Sequence, residues 1–278
     1  MPRATSNGIE IEYETFGALA APPLLLIAGL GSQMLSWDDD FCALLASRGF
    51  RVIRYDNRDS GLSTWVEDAY TLDDMADDAA GLLDALGIAA AHVVGASMGG
   101  FIAQLLTLNH PGRVLTLTSI MSGPNGDDQV QPTAEGSAVL MAPAPPTREE
   151  RIALGLWAKQ KLLGPADPFD EPYERARITR AVDRAYHPAG FGRQLGAILV
   201  AKGRLERLGS VGVPTLVIHG DGDPLVNLSG GRATAGAVPG AELVEIEGMG
   251  HNLPRELWPT ITDRIAALVE RGELIASS

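Results

Sequence analysis

The chain has few of the features that mark secreted or membrane-spanning proteins. It contains a single cysteine, Cys42, in 278 residues, so no disulfide can form within the chain, which fits a reducing compartment. No apolar run precedes Gly8, and the longest apolar runs, such as 24–28, are too short to span a bilayer. We therefore expect a cytoplasmic protein without a membrane partner.

Positive charge is also scarce. The chain has 22 Lys and Arg residues against 35 Asp and Glu residues, which gives a formal net charge of −13. A surface this negative repels phosphate backbones, so we predict no nucleic-acid partner. Apolar residues make up 45% of the composition, which is enough for a large core. We expect a monomer or a homodimer.

Short apolar runs alternate with amphipathic stretches along much of the chain. The pattern predicts strands at 8–17, 24–28, 51–55, 91–96, 114–120, 214–219 and 241–246, and helices at 37–47, 72–86, 98–109 and 254–271. Alternating strands and helices indicate an α/β protein with a mostly parallel sheet and helices on both faces.

The alternation stops in the middle of the chain. Residues 123–150 are rich in Pro, Gly and acidic residues, and helical patterns follow at about 148–163, 171–186 and 190–205. The sequence therefore predicts a core domain of residues 1–123 and 209–278, with residues 124–208 as a helical cap. Such a cap would cover the carboxyl edge of the sheet, where open α/β folds bind ligands.

A candidate nucleophile lies between a predicted strand and a predicted helix. Residues 95–99 read Gly-Ala-Ser-Met-Gly, which matches the G-x-S-x-G pattern of a nucleophilic serine on a sharp strand-to-helix turn. Gly95 and Gly99 remove side chains that would collide with the neighbouring strand and helix. A serine that only caps the helix is the alternative, but the strand before it favours Ser97 as a nucleophile.

The sequence resembles the α/β-hydrolase superfamily over nearly its whole length. Four segments carry the resemblance: Ala-Gly-Leu-Gly at 28–31, Asp-Asn-Arg-Asp-Ser-Gly-Leu-Ser at 56–63, the 95–99 segment, and Gly-Met-Gly-His at 248–251. Residues 54–61 are similar to bacterial esterases of the aclacinomycin methylesterase type. The resemblance implies the α/β-hydrolase fold, with a mostly parallel eight-stranded sheet flanked by helices and a helical cap inserted after the sixth strand.

The resemblance also implies the partners of Ser97. The family places its catalytic residues in the order Ser, acid, His. Asp223 precedes Pro224 after a predicted strand, where similar proteins carry the acid, and His251 is the only histidine that follows it. Some family members place the acid after the preceding strand, so Asp127 or Asp128 is the alternative. Asp221 is interpreted as a turn residue that bonds its own backbone.

Two backbone N–H groups are predicted to bind the developing oxyanion. One belongs to Met98, which follows the nucleophile. The other is implied by the family's His-Gly-x-Gly motif, whose third residue donates; here this residue is Leu30. Ala28 stands where the family usually has the histidine that braces this loop, so we expect the brace to be missing.

The remaining candidates concern the substrate pocket. Gly29 in the oxyanion loop, and Met34 and Trp37 just past it, are predicted to line the pocket, and Trp157 and Phe169 are predicted to form its roof. The segment 56–63 is expected to brace the loop beneath the nucleophile.

The sequence therefore predicts a serine esterase that cleaves small to medium carboxylic esters through an acyl-enzyme, including methyl esters of larger apolar molecules. A lactonase and a cofactor-free haloperoxidase or perhydrolase are the alternatives among enzymes, and a receptor-like binding protein of the same fold is the alternative outside them. The sequence contains no metal-ligand cluster and no phosphate-binding G-x-G-x-x-G motif, so no metal and no organic cofactor are predicted.

Overall fold

The strands form one eight-stranded, mostly parallel sheet. The computed structural model describes residues 2–126 and 131–276. Its strands are β1 (Arg3–Ser6), β2 (Ile9–Phe16), β3 (Pro23–Ile27), β4 (Arg51–Tyr55), β5 (Ala91–Ala96), β6 (Val114–Ile120), β7 (Thr215–Gly220) and β8 (Glu242–Ile246). They are ordered β1-β2-β4-β3-β5-β6-β7-β8. β2 runs antiparallel to β1 and β4, whereas the other neighbouring pairs are parallel.

The strand order reverses direction at β3. The chain passes from β3 outward to β4 on one side and then returns to β5 on the other side. The connections that leave β3 and β5 therefore diverge at their carboxyl ends, which creates the crevice where open α/β sheets bind ligands. The predicted oxyanion loop follows β3 and Ser97 follows β5, so the topology brings both to this crevice.

Helices cover both faces of the sheet because the central strands are apolar on both. In β3, Leu24 and Leu26 pack into one buried cluster with α1 (Asp39–Ser47) and α10 (Trp258–Ala276). Leu25 and Ile27 face the other side, where they pack with α2 (Leu72–Ala85) and α3 (Met98–Asn109). This alternation follows from the two-residue side-chain period of a strand.

A helical insert separates β6 from β7. Its helices are α4 (Ala134–Leu140), α5 (Arg148–Lys161), α6 (Glu171–Arg184), α7 (Pro188–Val200) and α8 (Leu205–Leu208). We refer to α4–α8 and their connections as the insert. The insert follows the sixth strand in chain order, at the position where the sequence pattern loses its strands.

The sequence does not predict several elements, among them β1, α4 and α9 (Leu228–Ala237). β1 has only four residues, and α4 lies in the stretch rich in Pro and Gly. The last of these, α9, contains several Gly, Ser and Thr residues, which have low intrinsic helix propensity. Its N-cap Asn227 accepts a hydrogen bond from the Ser229 backbone, so capping and packing, rather than composition, determine this helix.

Candidate active site

Ser97 lies on a strained turn between β5 and α3. Its φ and ψ are 56° and −124°, a backbone conformation that residues other than glycine rarely adopt. A Cβ atom on Gly95 would lie 2.1 Å from the carbonyl oxygen of Gly99, and one on Gly99 would lie 2.1 Å from the carbonyl oxygen of Ile27. The two glycines are therefore required for the close approach of α3 to β3 and β5.

Ser97, His251 and Asp223 form a continuous chain of hydrogen bonds. His251 Nε2 lies 2.9 Å from Ser97 Oγ, and His251 Nδ1 lies 2.7 Å from Asp223 Oδ2. A carboxylate only accepts hydrogen bonds, so it fixes the proton on Nδ1. The lone pair of Nε2 is then free to accept the proton of the Ser97 hydroxyl.

Asp223 is held in place on its other oxygen. Its side chain is fully buried, and Oδ1 accepts hydrogen bonds from the backbone N–H groups of Leu225 and Val226. Burial alone opposes ionisation, but the charge of His251, the adjacent His219 and the hydrogen bonds from His251 and Val226 hold the pKa of Asp223 below its usual range. The second histidine, His219, is fully buried beside this carboxylate. Asp223 is thus a fixed anion opposite the imidazole.

The loop that carries His251 is fixed from two sides. Asp221 Oδ1 accepts a hydrogen bond of 2.6 Å from the Gly248 backbone. Asp221 thus binds the neighbouring loop and not its own backbone, because β7 and β8 are parallel neighbours whose carboxyl ends meet. From the insert, the carbonyl of Leu162 accepts a hydrogen bond of 2.8 Å from the His251 backbone.

Asp167 is the main contact of the insert with this loop. Its Oδ2 accepts hydrogen bonds of 2.7 Å from the backbone N–H groups of Gly164 and Gly250, and another from the side-chain amide of Asn252. Gly250 and Asn252 flank His251 on both sides. Sequence reasoning missed Asp167, because no local pattern links it to a loop 83 residues away.

The predicted oxyanion donors lie on either side of Ser97. Met98 is the first residue of α3, where the N–H group has no partner within the helix. Leu30 follows Gly29, at which a Cβ atom would lie 3.3 Å from Ser97 Cβ. Within the described ranges, neither the Leu30 nor the Met98 N–H group has a hydrogen-bond acceptor. Both donors are available to a negatively charged oxygen at Ser97.

The oxyanion loop has braces that replace the family's usual histidine. The Asn57 side-chain amide donates a hydrogen bond of 3.0 Å to the carbonyl of Ala28. The buried carboxylate of Asp56 accepts one of 2.7 Å from the Met34 backbone. Segment 56–63 therefore braces the oxyanion loop itself, and the brace that Ala28 cannot supply comes from Asn57.

The insert also contacts the oxyanion loop. Gln194 on α7 accepts a hydrogen bond of 2.8 Å from the Gly31 backbone and donates one of 2.8 Å to the carbonyl of Arg58. Arg184 on α6 forms a 2.7 Å ion pair with Asp56. Polar groups of α6 and α7 thus bind both the loop and the segment that braces it.

A cavity of about 260 Å³ opens beside Ser97 and His251. Most of its lining is apolar, with Leu30, Trp37, Phe41, Met121, Val139, Leu140, Leu162, Phe191, Leu225, Leu253 and Trp258; Gly29 also lines it. The structure thus places Gly29 and Trp37 at the cavity, as the sequence predicts.

Three predicted pocket residues do not line this cavity. Met34 is fully buried because its backbone is drawn to Asp56, beneath the loop. Trp157 lies two positions before the lining residue Lys159 on α5, which turns it to another side of the helix. Phe169 lies between α5 and α6, beyond the part of this connection that contacts the His251 loop. The helical insert contributes Val139, Leu140, Lys159, Leu162, Arg177 and Phe191 instead.

The remaining candidates are the alternative acid and the thiol of Cys42. Asp127 and Asp128 lie outside the described residues. Cys42 is fully buried in the core, and burial raises the pKa of its thiol to about 12, so it is an unreactive core residue. Among the described residues, no group of three or more His, Cys, Asp or Glu side chains is arranged to hold a metal ion. No helix in the same ranges is long and apolar enough to cross a membrane.

Comparison with known proteins agrees with this geometry. The family model for the alpha/beta hydrolase fold matches residues 22–254. The chain is 34% identical to rhodomycin D methylesterase DauP of Streptomyces sp. (strain C5), over 95% of this chain and 96% of the relative. It is 29% identical to the putative carbamate hydrolase RutD of Caulobacter segnis, over 95% of this chain and 94% of the relative.

Solved structures are similar over almost the whole chain. The enol-lactonase of Burkholderia xenovorans LB400 superposes with a TM-score of 0.80 at 28% identity, covering 97% of this chain and all of that one. The esterase RhEst1 of Rhodococcus sp. ECU1013, at 21% identity, has the same fold, with a TM-score of 0.82 over 97% of this chain and 98% of its own. The predictions of the α/β-hydrolase fold, of the resemblance to the methylesterase group and of an ester-cleaving hydrolase are confirmed. The chain belongs to the α/β-hydrolase family.

Proposed function

We propose that Ser97, His251 and Asp223 hydrolyse small to medium carboxylic esters by two-step acyl transfer. The observation that carries this proposal is the hydrogen-bond chain from Ser97 Oγ through His251 to Asp223, which ends beside a largely apolar cavity. A serine hydroxyl is a weak nucleophile until a base removes its proton, and His251 Nε2 is placed to do so.

The first step forms the acyl-enzyme. Ser97 Oγ attacks the ester carbonyl carbon as His251 takes the hydroxyl proton. The carbonyl oxygen becomes an oxyanion that accepts hydrogen bonds from the N–H groups of Leu30 and Met98. The bond from carbon to the leaving oxygen then breaks, and His251 returns the proton to the departing alcohol. The ionised Asp223 stabilises the imidazolium throughout.

Water completes the cycle in the second step. His251 removes a proton from a water molecule, whose oxygen attacks the acyl carbon and regenerates the same oxyanion. When this intermediate collapses, the carboxylic acid leaves and the proton returns to Ser97 Oγ. Every proton transfer uses protein groups or water, so this scheme requires no metal and no organic cofactor.

Cavity size and relatives support the substrate class. A cavity of about 260 Å³ is at the small end of ligand pockets, which favours small to medium esters. The methylesterase relative supports methyl esters in particular, and the enol-lactonase neighbour supports lactones as the second candidate. Residues 124–208 are proposed as the cap, because α4–α7 supply part of the cavity wall. We also propose a cytoplasmic enzyme, on its single cysteine, working as a monomer or a homodimer.

Steady-state hydrolysis of p-nitrophenyl acetate and butyrate tests the proposal. We expect turnover by the wild type, and Ser97→Ala should lower kcat by at least about a thousand-fold. Ser122→Ala is the matched control, because Ser122 Oγ donates to the carbonyl of Ser97 without touching the proposed base. Absence of turnover, with Ser97→Ala indistinguishable from wild type, would favour the receptor-like alternative, and turnover that depends on hydrogen peroxide would favour a perhydrolase.

A second variant tests the acid. We expect Asp223→Asn to lower kcat by orders of magnitude, because an amide does not stabilise the imidazolium and favours the wrong tautomer. Near-normal activity of Asp223→Asn would transfer the role of the acid to Asp127 or Asp128.

A further inference from the structure

Four charged side chains form a cluster at the wall of the largely apolar cavity. Lys159, Arg177 and Asp38 line the cavity directly. Glu174 lies between the two cations, with 3.6 Å from Oε1 to Lys159 Nζ and 3.2 Å from Oε2 to Arg177. The cluster has two positive and two negative groups, so its charges balance.

Most charged groups of the cluster form hydrogen bonds or ion pairs with other protein groups. The Arg177 guanidinium donates to the Ser36 carbonyl at 3.0 Å and to Glu174 at 3.2 Å, and it forms a 3.3 Å ion pair with Asp38. Asp38 also accepts a hydrogen bond of 2.7 Å from the Tyr173 hydroxyl. These contacts hold α6 against the segment after the oxyanion loop, so packing of the insert explains them.

Lys159 has the longest contact in the cluster. Its contact with Glu174, at 3.6 Å, is too long for a hydrogen bond, and no other residue in the described ranges accepts a hydrogen bond from its ammonium group. Only 23% of this side chain is exposed. An ammonium group has three donors, and Lys159 lines the cavity, so a substrate oxygen there can accept from it. Burial lowers the pKa of Lys159.

We propose that Lys159 binds an oxygen of the substrate's acyl portion, a ketone or a carboxylate remote from the scissile ester. This inference rests on the proposed function. In a methyl ester the alcohol portion is a single carbon, so an oxygen that reaches Lys159 belongs to the acyl portion. Lys159 and Ser97 line one small cavity from fixed elements, α5 and the turn after β5. The oxygen must therefore lie at a defined distance from the ester carbonyl along the carbon chain of the substrate.

Two series of methyl esters test this inference. The first compares methyl hexanoate with its 3-, 4- and 5-oxo derivatives, and the second uses the monomethyl esters of succinic, glutaric and adipic acid. We expect wild-type kcat/KM to rise above that of methyl hexanoate for one position of the oxygen. In Lys159→Met this advantage should fall by about 10- to 100-fold, the usual effect of a charge-assisted hydrogen bond. The series that shows the effect distinguishes a neutral from an anionic acceptor.

A matched control separates this effect from general damage to α5. Methionine retains the apolar stem of Lys159, so the effect is measured as the ratio of kcat/KM for the oxygenated ester to kcat/KM for methyl hexanoate within each variant. Lys161→Met on the same helix removes an ammonium that is already paired with Glu135 on the surface, and it should leave the preference for the oxygenated ester unchanged.

Each outcome has a separate meaning. Wild type and Lys159→Met with the same preference across both series, while both hydrolyse methyl hexanoate, would overturn the inference and leave the proposed function intact. A preference lost equally in Lys161→Met would overturn it as well. Absence of turnover for every ester would instead contradict the proposed function.

Discussion

Single carboxylates hold the loops of this candidate active site together. Asp223 fixes the His251 ring, Asp221 fixes the loop at Gly248, and Asp167 binds backbone N–H groups on the same loop. Asp167 differs from the other two because it comes from the insert. One of its oxygens accepts three hydrogen bonds, two of them from the residues next to His251.

Asp167 is therefore expected to be a positioning residue for His251. Asp167→Ala should lower kcat by about 10- to 100-fold, since hydrogen bonds to charged groups are worth about 1.5–3 kcal/mol, while KM changes less than three-fold. Asp167→Asn retains one acceptor oxygen and should recover part of the loss. Active-site titration counts the molecules whose Ser97 is reactive. The kcat per titrated site therefore stays unchanged when part of the protein is merely unfolded.

Asp170→Ala provides the control for this prediction. Asp170 caps α6 through the Tyr173 backbone and lies on the same segment without touching the His251 loop. A loss of kcat per titrated site equal to that of Asp167→Ala would assign the effect to the segment as a whole.

At the scale of elements, α3 and β3 approach so closely at Gly99 that no side chain fits at this position. The Cβ position of Gly99 lies 2.1 Å from the carbonyl oxygen of Ile27 and 2.9 Å from that of Ala28. Both contacts are with backbone atoms, so neither can be relieved by a change of rotamer. The carboxyl end of β3, where the oxyanion loop begins, is therefore in direct contact with the first turn of α3.

Gly99→Ala is expected to destabilise the protein by about 3 kcal/mol or more, because overpacking against backbone forces elements to move. It should also lower kcat, because any shift of α3 from β3 separates the Met98 and Leu30 donors. Urea unfolding and ester hydrolysis measure the two effects. Gly192→Ala in α7 has open space at the Cβ position and should stabilise slightly through helix propensity. A Gly99→Ala variant as stable as wild type would contradict the packing seen here.

At the scale of the whole molecule, the protein has a net negative charge, whereas the charged groups at the cavity balance each other. The formal net charge of −13 repels anions at long range, whereas the charged cluster in the cavity is balanced. Salt screens interactions beyond a Debye length of about 10 Å at 0.1 M, so it acts on the surface field much more than on buried contacts.

Anionic esters should therefore respond to salt more than neutral esters of the same length. Raising NaCl from 0.02 to 0.3 M should increase kcat/KM for monomethyl adipate by about two- to five-fold, because screening weakens the repulsion that lowers its local concentration. Methyl hexanoate should change little and serves as the control. Equal responses of the two esters would mean that the field at the cavity entrance does not follow the net charge.

The sequence alone determined the parts of this protein that rest on local chemistry. Residues 95–99 predict a serine turn because a nucleophile between strand and helix needs small neighbours, and alternation of strands and helices predicts a parallel sheet. Chain order within the family predicts His251 and Asp223, and the structure places His251 within hydrogen-bond distance of both Ser97 and Asp223.

Only the tertiary structure decided what surrounds this site. The choice of Lys159 over Trp157 as a cavity residue depends on how α5 is rotated against the sheet, and the roles of Asn57 and Asp167 depend on loops far apart in the chain. Such contacts leave no periodic pattern in the sequence, because they form between segments brought together by packing. The physical reason is one of range: turns and strands follow from neighbouring residues, whereas the shape of a cavity is set by elements that meet only in the folded molecule.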